Sequence, residues 1–318
     1  MPTKLKIGVL FGGKSPEHDV STISGGEVIK NLDRSKYEVI PIFISKSGTS
    51  WQIGENKKTL GSPASLKKLI DIAFIAMHGP FGEDGTIQGF LEMFDIPYTG
   101  SGVLASSLGM DKIYSRKLFI QAGIIVPKYV LVNKKTPQSE ILSKLKFPVF
   151  VKPKAQGSSV GVSKVKNKKD LARALKTAFS YGDEVIIEEF LAGTEITCAI
   201  LGNAKPKALP LVEIVTKKEF FDLEAKYDAK LTDEIVPARI SRDLTKKAQD
   251  AAIRAYETIG CQAFGRVDMI IASGKPYVLE VNTIPGLTPV SLFPKAAASA
   301  LISYQKLLDK IISFSLGK

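Results

Sequence analysis

The sequence predicts an α/β protein with an N-terminal open parallel-sheet domain, a small central α+β module and a C-terminal α+β module. Strand-like apolar runs alternate with helical segments over the first hundred residues, which indicates βαβ units and a parallel sheet. This alternation stops in the middle of the chain, where short strands and one helix alternate with loops. The length of 318 residues corresponds to roughly two average domains, and no linker-like stretch interrupts it, so we expect closely packed modules.

The N-terminal domain is expected to span residues 1–105. Gly12 and Gly13 follow its first strand and predict a sharp exit that lets a ligand approach the backbone. The predicted elements are the strand Lys6–Phe11, the helix Ser21–Leu32 capped by Ser21, the strands Tyr37–Ser45 and Asp71–Met77, the helix Thr86–Phe94 and an exit helix Ser106–Ala122.

The central module is expected to span residues 106–190 and the C-terminal module residues 191–318. The central elements are predicted as the strands Phe147–Lys152, Val162–Val165 and Glu184–Phe190 and the helix Asp170–Tyr181. The C-terminal elements are predicted as the strand Glu195–Leu201, a charged loop Thr216–Thr232, an amphipathic helix Asp243–Ile259, a two-stranded hairpin turning at Ala272–Pro276, and a last helix Ala296–Leu316.

Composition excludes several classes of protein. The charged fraction of 24% and the hydrophobic fraction of 44% are ordinary for a folded protein, and no run approaches 18 apolar residues, which excludes a membrane span. The short apolar stretch near the N-terminus is too short for a signal peptide, so we expect a cytoplasmic protein. Cys198 and Cys261 are expected to be reduced core thiols, and with two histidines a zinc enzyme is not expected.

The net charge of +12 is concentrated in one stretch, Lys128–Lys176, which holds thirteen basic and two acidic residues. This concentration predicts an anionic partner, either a nucleic acid or the phosphates of a nucleotide, although most of these lysines are expected to form a solvated face. The stretch lacks interleaved aromatics and any recognised nucleic-acid motif, which argues against a nucleic-acid-binding protein.

Residues 8–15 match the phosphate-binding pattern GxxxxGK[ST] in letters only. A P-loop wraps phosphate with the backbone of its middle residues, but Val9, Leu10 and Phe11 belong inside a strand. Pro16 follows at once and no helix is expected to begin at Lys14, so we reject the P-loop.

The strongest chemical signal is the C-terminal hairpin. Residues at i and i+2 of a strand share a face, so Arg266 lies with Asp268, and Glu280 with Asn282. A hairpin centred on Gly274 places Asp268 opposite Glu280 and Arg266 opposite Asn282. Opposed carboxylates repel unless a cation lies between them, and such oxygen ligands suit Mg²⁺. The alternative is a solvated polar face in which Arg266 pairs with one carboxylate.

Three further segments are candidates for ligand contacts. Lys152 ends a strand before the Gly/Ser loop 156–161, an arrangement that suits phosphate capture or a plain hairpin turn. The segment Glu188–Leu191 could receive an adenine along a strand end. His78 follows a strand end, where open parallel sheets bind ligands, and it either touches a substrate or caps a loop.

These segments together resemble the D-alanine–D-alanine ligases of the ATP-grasp superfamily, over the whole chain. The matching segments, in family order, are GGKSPEHDVS (12–21), AMHGPFGEDG (76–85), MDK (110–112), VKPKAQGSSVGVSKV (151–165), FFDLEAKY (220–227), GRVDM (265–269) and LEVNTIPGLTPVSLFP (279–294). The resemblance implies an ATP-grasp fold and an ADP-forming ligase that joins two D-alanines through an acyl phosphate, for peptidoglycan synthesis. A ligase for another second substrate, D-lactate or D-serine, is the alternative.

The resemblance implies that ATP lies between the central and C-terminal modules. The matching nucleotide contacts are Lys112, Lys152 and the lid residue Lys226 for the phosphates, Gly157 and Ser159 in the phosphate loop, Glu188 for the adenine amino group, the backbone of Glu189, Phe190 and Leu191 for the rest of the adenine, and Glu195 for the ribose. The matching ligands of Mg²⁺ or Mn²⁺, with two ions expected, are Asp268, Glu280 and Asn282.

The resemblance also assigns the amino-acid site. The matching residues are Glu17 for the ammonium of the first D-alanine, His78 near its carboxylate, Ser291 and Leu292 for the carboxylate of the second D-alanine, and Arg266 with the backbone N–H of Gly286 for the oxyanion. Tyr227, on the lid, is expected to hydrogen-bond Ser158, which in turn meets Glu17.

The chain departs from the family at a few positions. Gln156 stands where an acid is expected in many members, and Phe221 and Leu223 replace frequent tyrosines. The resemblance implies a homodimer that acts on D-alanine and ATP, with no nucleic-acid or membrane partner.

Overall fold

Three β-sheets organise the part of the chain that this computed structural model describes, residues 4–155, 157, 159–218 and 231–317. The first sheet is five-stranded, with order β4-β3-β2-β1-β5. Its β1 pairs in parallel with β2 and β5, which confirms the predicted parallel sheet, and β3 and β4 extend it as an antiparallel edge that was not predicted. The elements are β1 (Leu5–Gly12), α1 (His18–Asn31), β2 (Tyr37–Ile44), β3 (Trp51–Ile53), β4 (Lys58–Thr59), a 3₁₀-helix (Pro63–Lys68), β5 (Ile72–Ile75) and α2 (Thr86–Met93).

The predicted cap of the first helix is wrong, because α1 begins three residues before Ser21. The buried Ser21 hydroxyl accepts from the Gly12 N–H at 2.9 Å and donates to the Ala76 carbonyl at 2.7 Å. It therefore ties together the ends of two neighbouring strands instead of capping a helix. Gly12 makes the predicted sharp exit from the strand, with φ +86°. Glycine is needed at this position because a Cβ would lie 2.4 Å from the Ile44 carbonyl oxygen.

The exit helix is two helices, α3 (Val103–Met110) and α4 (Lys112–Gln121), so the prediction of one helix is wrong. Asp111 breaks it with an extended backbone, and its carboxylate accepts from the N–H groups of Ile113 and Tyr114. A side chain that caps a helix in this way favours a new N-terminus over continuation.

The central sheet is antiparallel, with order β6-β9-β7-β8. The strand β6 of this sheet and the helix α5 that follows it were not predicted. The elements are β6 (Tyr129–Asn133), α5 (Gln138–Lys144), β7 (Val149–Pro153), β8 (Ser163–Val165), α6 (Lys168–Phe179) and β9 (Glu184–Glu189).

The third sheet is antiparallel, with order β13-β12-β10-β14-β15 and β11 paired to β10. The predicted loop Thr216–Thr232 connects β12 to β13, and residues 219–230 of it lie outside the described residues. The elements are β10 (Thr194–Leu201), β11 (Lys207–Ala208), β12 (Val212–Thr216), β13 (Thr232–Ile235), α7 (Arg242–Thr258), β14 (Phe264–Ala272), β15 (Lys275–Asn282), α8 (Leu292–Ser299) and α9 (Tyr304–Ser315).

The last helix was also predicted as one element and is two, α8 and α9. Leu301 between them has φ +59°, and Ser303 caps α9 by accepting from the Lys306 N–H. Both helices share one apolar core with the first sheet. The end of the chain therefore packs against its beginning.

Other sequence predictions hold in the core. Ala248, Ala255 and Ile259 of the predicted apolar face are buried, whereas Ala251 is only half-buried. Cys198 and Cys261 are buried free thiols, as predicted. Within the described ranges, no helix combines the length and the apolar character that crossing a membrane requires.

Candidate active site

The residues singled out by the sequence gather around two adjoining pockets. The first pocket lies between the central sheet and the hairpin β14–β15, and the predicted residues on its wall are Lys112, Lys152, Ser159, Glu188, Glu189, Leu191, Glu195, Asp268 and Glu280. The second pocket lies between α1 and the segment that leads into α8, and the predicted residues on its wall are Glu17, His78, Arg266, Asn282, Gly286, Ser291 and Leu292. A smaller cavity, which Gly157 also lines, shares Lys112 and Glu280 with the first pocket and Asn282 with the second.

The hairpin has the register that the sequence predicted at the site. Asp268 pairs with Glu280 and Arg266 with Asn282. The assumed centre at Gly274 is wrong, because Ala272 pairs with Lys275 across a two-residue turn. That turn alone would place Asp268 opposite Leu279. The register shifts between Asp268 and Met269, and this β-bulge at Leu279 brings both carboxylates to one face.

Asp268 is held by donors from three directions. Arg266 reaches both carboxylate oxygens at 2.8 Å from Nε and Nη2. The Asn282 amide donates at 3.0 Å, and the hydroxyl of Thr197, its neighbour on β10, donates at 2.6 Å. Burial alone would lower the pKa of Arg266, but Asp268, with Glu280 and Glu83, outweighs this effect and raises the pKa. The guanidinium is therefore charged and fixed in direction.

Glu280 faces a lysine across the first pocket, with Lys112 Nζ 3.2 Å from its Oε2. Among the residues the structure describes, no group of three His, Cys, Asp or Glu side chains could hold a metal ion by itself. The predicted metal site has only two carboxylates, Asp268 and Glu280, with the amide of Asn282. Such a set fits a hard cation whose remaining ligands are phosphate oxygens and water.

Glu188 lies under the first pocket in a buried cluster of charges. Its side chain is 2% exposed, Arg116 Nη2 lies 2.5 Å from Oε2, and Lys152 pairs with Oε1. Burial alone would raise the pKa of Glu188, but Arg116 and Lys152 together hold it below its usual value. The carboxylate is therefore ionised and can only accept hydrogen bonds, which suits a contact to an adenine amino group.

The other predicted nucleotide residues surround this cluster. The Glu189 side chain accepts from the Lys128 N–H at 2.8 Å, which fixes the end of β9. The Phe190 ring packs against Phe150 and lies beneath Lys164 Nζ, 4.1 Å from the ring centre. Ser159 lies in the loop between β7 and β8 with φ +59°.

Glu17 lies where α1, the His78 loop and the phosphate loop meet. A Cβ at Gly79 would come within 2.4 Å of Glu17 Oε2, and one at Gly157 within 2.9 Å. The carboxylate is thus enclosed by two backbones that only glycine allows so close. Its predicted neighbour Ser158 lies outside the described residues, as do Lys226 and Tyr227.

The far wall of the second pocket is the turn before α8. Ser291 is the N-cap residue of α8, and its hydroxyl lies 2.7 Å from that of Thr288. The first N–H groups of a helix lack helical partners and suit a carboxylate. This geometry agrees with the predicted contact of Ser291 and Leu292 with an amino-acid carboxylate.

His78 is buried, and it pairs with an acid that the sequence reasoning did not single out as a site residue. Its Nδ1 lies 3.6 Å from Glu83 Oε1 and 3.1 Å from the Ile284 carbonyl oxygen, and its Nε2 lies 2.8 Å from the Ser24 hydroxyl. Burial alone would lower the pKa of His78, but Glu83 raises it above its ordinary value. Burial in turn raises the pKa of Glu83.

This pair predicts that stability falls as pH rises. Since the folded-state pKa of His78 is raised, its contribution is complete below the unfolded value of about 6.5 and is lost as pH rises through the folded value. The raised pKa of Glu83 acts in the same direction. We expect the double variant His78→Gln, Glu83→Gln to lose this part of the pH dependence, measured as free energy of unfolding between about pH 6 and 8.

Both residues are changed in that test because a single His78→Gln variant would still contain Glu83, whose pKa is raised by its own burial. Ser24→Ala, which removes only the hydrogen bond to Nε2, is the control and should keep the wild-type slope. A double variant whose slope equals that of wild type would contradict the prediction.

Sequence reasoning missed three residues that shape the site: Glu83, Thr197 and Arg116. Glu83 belongs to the GEDG segment that was noticed, so its acid could have been paired with His78 five residues earlier. Thr197 and Arg116 act across long separations in the chain, and no local pattern points to them.

Comparison with known proteins covers nearly the whole chain. A family model described as D-ala D-ala ligase C-terminus matches residues 118–313, and one described as D-ala D-ala ligase N-terminus matches residues 6–65 and 54–101. A D-alanine–D-alanine ligase of Desulforudis audaxviator is 43% identical, covering 96% of this chain and 97% of the relative. Another, of Carboxydothermus hydrogenoformans, is 43% identical and covers 98% of each chain.

Two solved structures are also similar. The D-alanine–D-alanine ligase of Bacillus anthracis complexed with ATP has a TM-score of 0.83 and 41% identity, covering 99% of this chain and 98% of that one. The VanG D-Ala:D-Ser ligase of Enterococcus faecalis has a TM-score of 0.88 and 36% identity, covering 98% and 100%. The three-sheet architecture agrees with both structures.

Proposed function

The chain belongs to the D-alanine–D-alanine ligase family, and from this we propose that it joins two D-alanines to D-alanyl-D-alanine while converting ATP to ADP and phosphate. The fold is the ATP-grasp fold. The product is a peptidoglycan precursor, which makes this an enzyme of cell-wall synthesis. The observation that carries the proposal is the meeting of the two pockets at one hairpin face, where Arg266, Asp268, Glu280 and Asn282 lie together.

The chemistry needs an activated carboxylate, because a free carboxylate is a poor electrophile. The carboxylate oxygen of the first D-alanine attacks the γ-phosphorus, and the bond to ADP breaks. The amine of the second D-alanine loses a proton and attacks the acyl phosphate, and inorganic phosphate leaves. Each step needs mainly positioning and charge neutralisation.

We assign these tasks to the residues around the pockets. Lys112 and Lys152 bind phosphate, and Glu17 and His78 hold the ammonium and carboxylate of the first D-alanine. Arg266 and the Gly286 N–H stabilise the oxyanion, an effect of about 3–4 kcal/mol for one donor. Further assignments are Gly157, Ser158, Ser159 and Lys226 for phosphate, Glu188, Glu189, Phe190, Leu191 and Glu195 for the nucleoside, Ser291 and Leu292 for the second D-alanine, and Tyr227 for latching the lid.

Asp268, Glu280 and Asn282 would hold Mg²⁺ or Mn²⁺, with two ions expected, and the metal when bound neutralises phosphate charge. Their support is the face they share and the hard oxygen donors they offer. The homodimer and the cytoplasmic location are proposed on the family resemblance alone. Light scattering of the purified protein tests the dimer.

The deciding experiment is a mass spectrum of the products formed from ATP, Mg²⁺ and equal D-alanine, D-serine and D-lactate. We expect D-alanyl-D-alanine as the main product. A main product containing D-serine would favour the second candidate, which the similarity to the VanG ligase suggests. If the protein releases no phosphate with ATP and D-alanine, with or without added RNA or DNA, the proposed ligase activity is contradicted.

Lys152→Ala should weaken the binding of ATP much more than the binding of D-alanine. Lys152 lines the first pocket and is absent from the wall of the second. A charge-assisted contact is worth about 1.5–3 kcal/mol, so KM for ATP should rise about ten- to a hundredfold while KM for D-alanine changes little. Lys134→Ala, an exposed lysine of the same module, is the control. Equal losses for both substrates would count against the phosphate assignment.

A further inference from the structure

Arg116 of α4 is a fully buried cation beneath the first pocket. Its Nη2 lies 2.5 Å from Glu188 Oε2 and donates to the Leu279 carbonyl at 3.2 Å. Its guanidinium lies over the Tyr129 ring, 5.5 Å from the centre. Arg116 therefore joins strand β9, which carries Glu188, to the bulged residue of β15 across the floor of the pocket.

We propose that Arg116 is a positioning residue that makes the nucleotide site selective for a 6-aminopurine by holding Glu188 in place as an acceptor. The inference rests on the proposed function, since it takes the first pocket as the nucleotide site. It assigns a role in base selection to a residue that touches no substrate.

The burial of Arg116 argues for a role of its charge. Its Nε and Nη1 have no hydrogen-bond partner among the described residues, so the side chain is not retained to saturate hydrogen bonds. A buried ion pair is often no more stabilising than apolar packing of the same volume. The pairing with Glu188 is the contact that a neutral side chain could not replace.

Glu188 is suited to read the base. The residue lines the pocket, and its carboxylate is held by its two oxygens: Oε2 is buried against Arg116, and Oε1 pairs with Lys152. An ionised carboxylate only accepts hydrogen bonds, so it favours the 6-amino group of adenine and repels the 6-oxo group of hypoxanthine.

The second cation of the cluster cannot take over this task. Lys152 pairs with the other oxygen of Glu188, but it is also the proposed phosphate ligand and has a flexible stem. Without Arg116, a buried carboxyl group tends to protonate and can then donate to a 6-oxo group. Base selection should therefore depend on Arg116 specifically.

The test compares binding of ADP and IDP, which needs no turnover of D-alanine. Calorimetry on wild type should show ADP favoured about tenfold or more, as one good hydrogen bond to a charged group allows. Arg116→Met should reduce the preference to about threefold or less, whereas Arg116→Lys, which keeps the charge, should retain most of it. Arg173→Met, an exposed arginine of the same module, should match wild type.

A double-mutant cycle separates selection from general loss of structure. If Arg116 acts through Glu188, Arg116→Met should not change the ADP to IDP ratio further in a Glu188→Gln background. If Arg116→Met does not yield folded protein, Arg116→Gln replaces it, and circular dichroism confirms the fold of each variant.

An unchanged ADP to IDP ratio in a folded neutral variant, or equal loss in Arg116→Lys and Arg116→Met, would overturn the inference. If the variants give either of these results while the wild-type protein ligates D-alanine, the proposed function still stands. A wild type that binds ADP selectively but makes no dipeptide would instead defeat the proposed function.

Discussion

Glu280→Gln should leave the fold intact and lower phosphate release at least about a hundredfold. The substitution keeps the shape of the side chain but removes one of the two carboxylate charges opposed on the hairpin. Lys112, 3.2 Å from that carboxylate, would then add unbalanced positive charge where a metal ion must bind. Removing even an outer partner of a metal ligand typically costs about 10–100-fold, and a direct ligand should cost more.

Magnesium titration of phosphate release is the measurement, with Glu257→Gln as the control because that exposed glutamate lies on α7 of the same module. The loss should be largest at low magnesium and partly recovered at high magnesium. Turnover near that of wild type at low magnesium would show that the metal assignment is wrong.

Gly79→Ala should reduce kcat/KM for D-alanine about a hundredfold while the protein still folds. The new methyl group would lie 2.4 Å from Glu17 Oε2 and 2.6 Å from the Ser15 hydroxyl. Both are side-chain ends that can move, so the fold survives, but the carboxylate proposed to bind the ammonium is displaced. A misplacement of about 1 Å can cost about a hundredfold in rate. The φ of +71° adds strain of about 1–2 kcal/mol.

Gly26→Ala is the matched control, since Gly26 lies in α1, the helix that follows Glu17, and a Cβ there meets nothing within 4 Å. Its activity should equal that of wild type, and its stability should be equal or higher, because alanine favours a helix. If Gly79→Ala kept full activity in steady-state assays at low D-alanine, Glu17 would not hold the ammonium where we place it.

Much of the site could be predicted because its chemistry is local in sequence. Alternation along a strand placed Arg266 with Asp268 and Glu280 with Asn282, and this prediction depends only on the pleat. The order of strand-like runs and helical segments in the first hundred residues predicted the parallel sheet, because strands separated by helices form βαβ units. The resemblance added residues whose pockets the structure then brought together, such as Glu17 with His78 and Lys112 with Glu188.

Helix boundaries were predicted less well, because side-chain capping competes with periodicity. Asp111 and Ser303 each begin a new helix inside a stretch that is continuously helical in pattern. Serine is a good capping residue, but the hydroxyl of Ser21 instead forms hydrogen bonds with two backbone groups of the first sheet. The competing partners in these cases are visible only in three dimensions.

The sequence by itself determined the parallel N-terminal sheet, the family and the shared faces of Arg266 with Asp268 and of Glu280 with Asn282, since each follows from the order of strands and helices, from contiguous motifs or from alternation along a strand. Only the tertiary structure decided the bulge at Leu279, without which the two-residue turn would put Asp268 and Glu280 on opposite faces. It alone also decided the pairing of Arg116 with Glu188, across 72 residues of chain. The physical reason is that these two features depend on side chains and strands that meet only after the chain has folded. Burial then decides how strongly the charges interact.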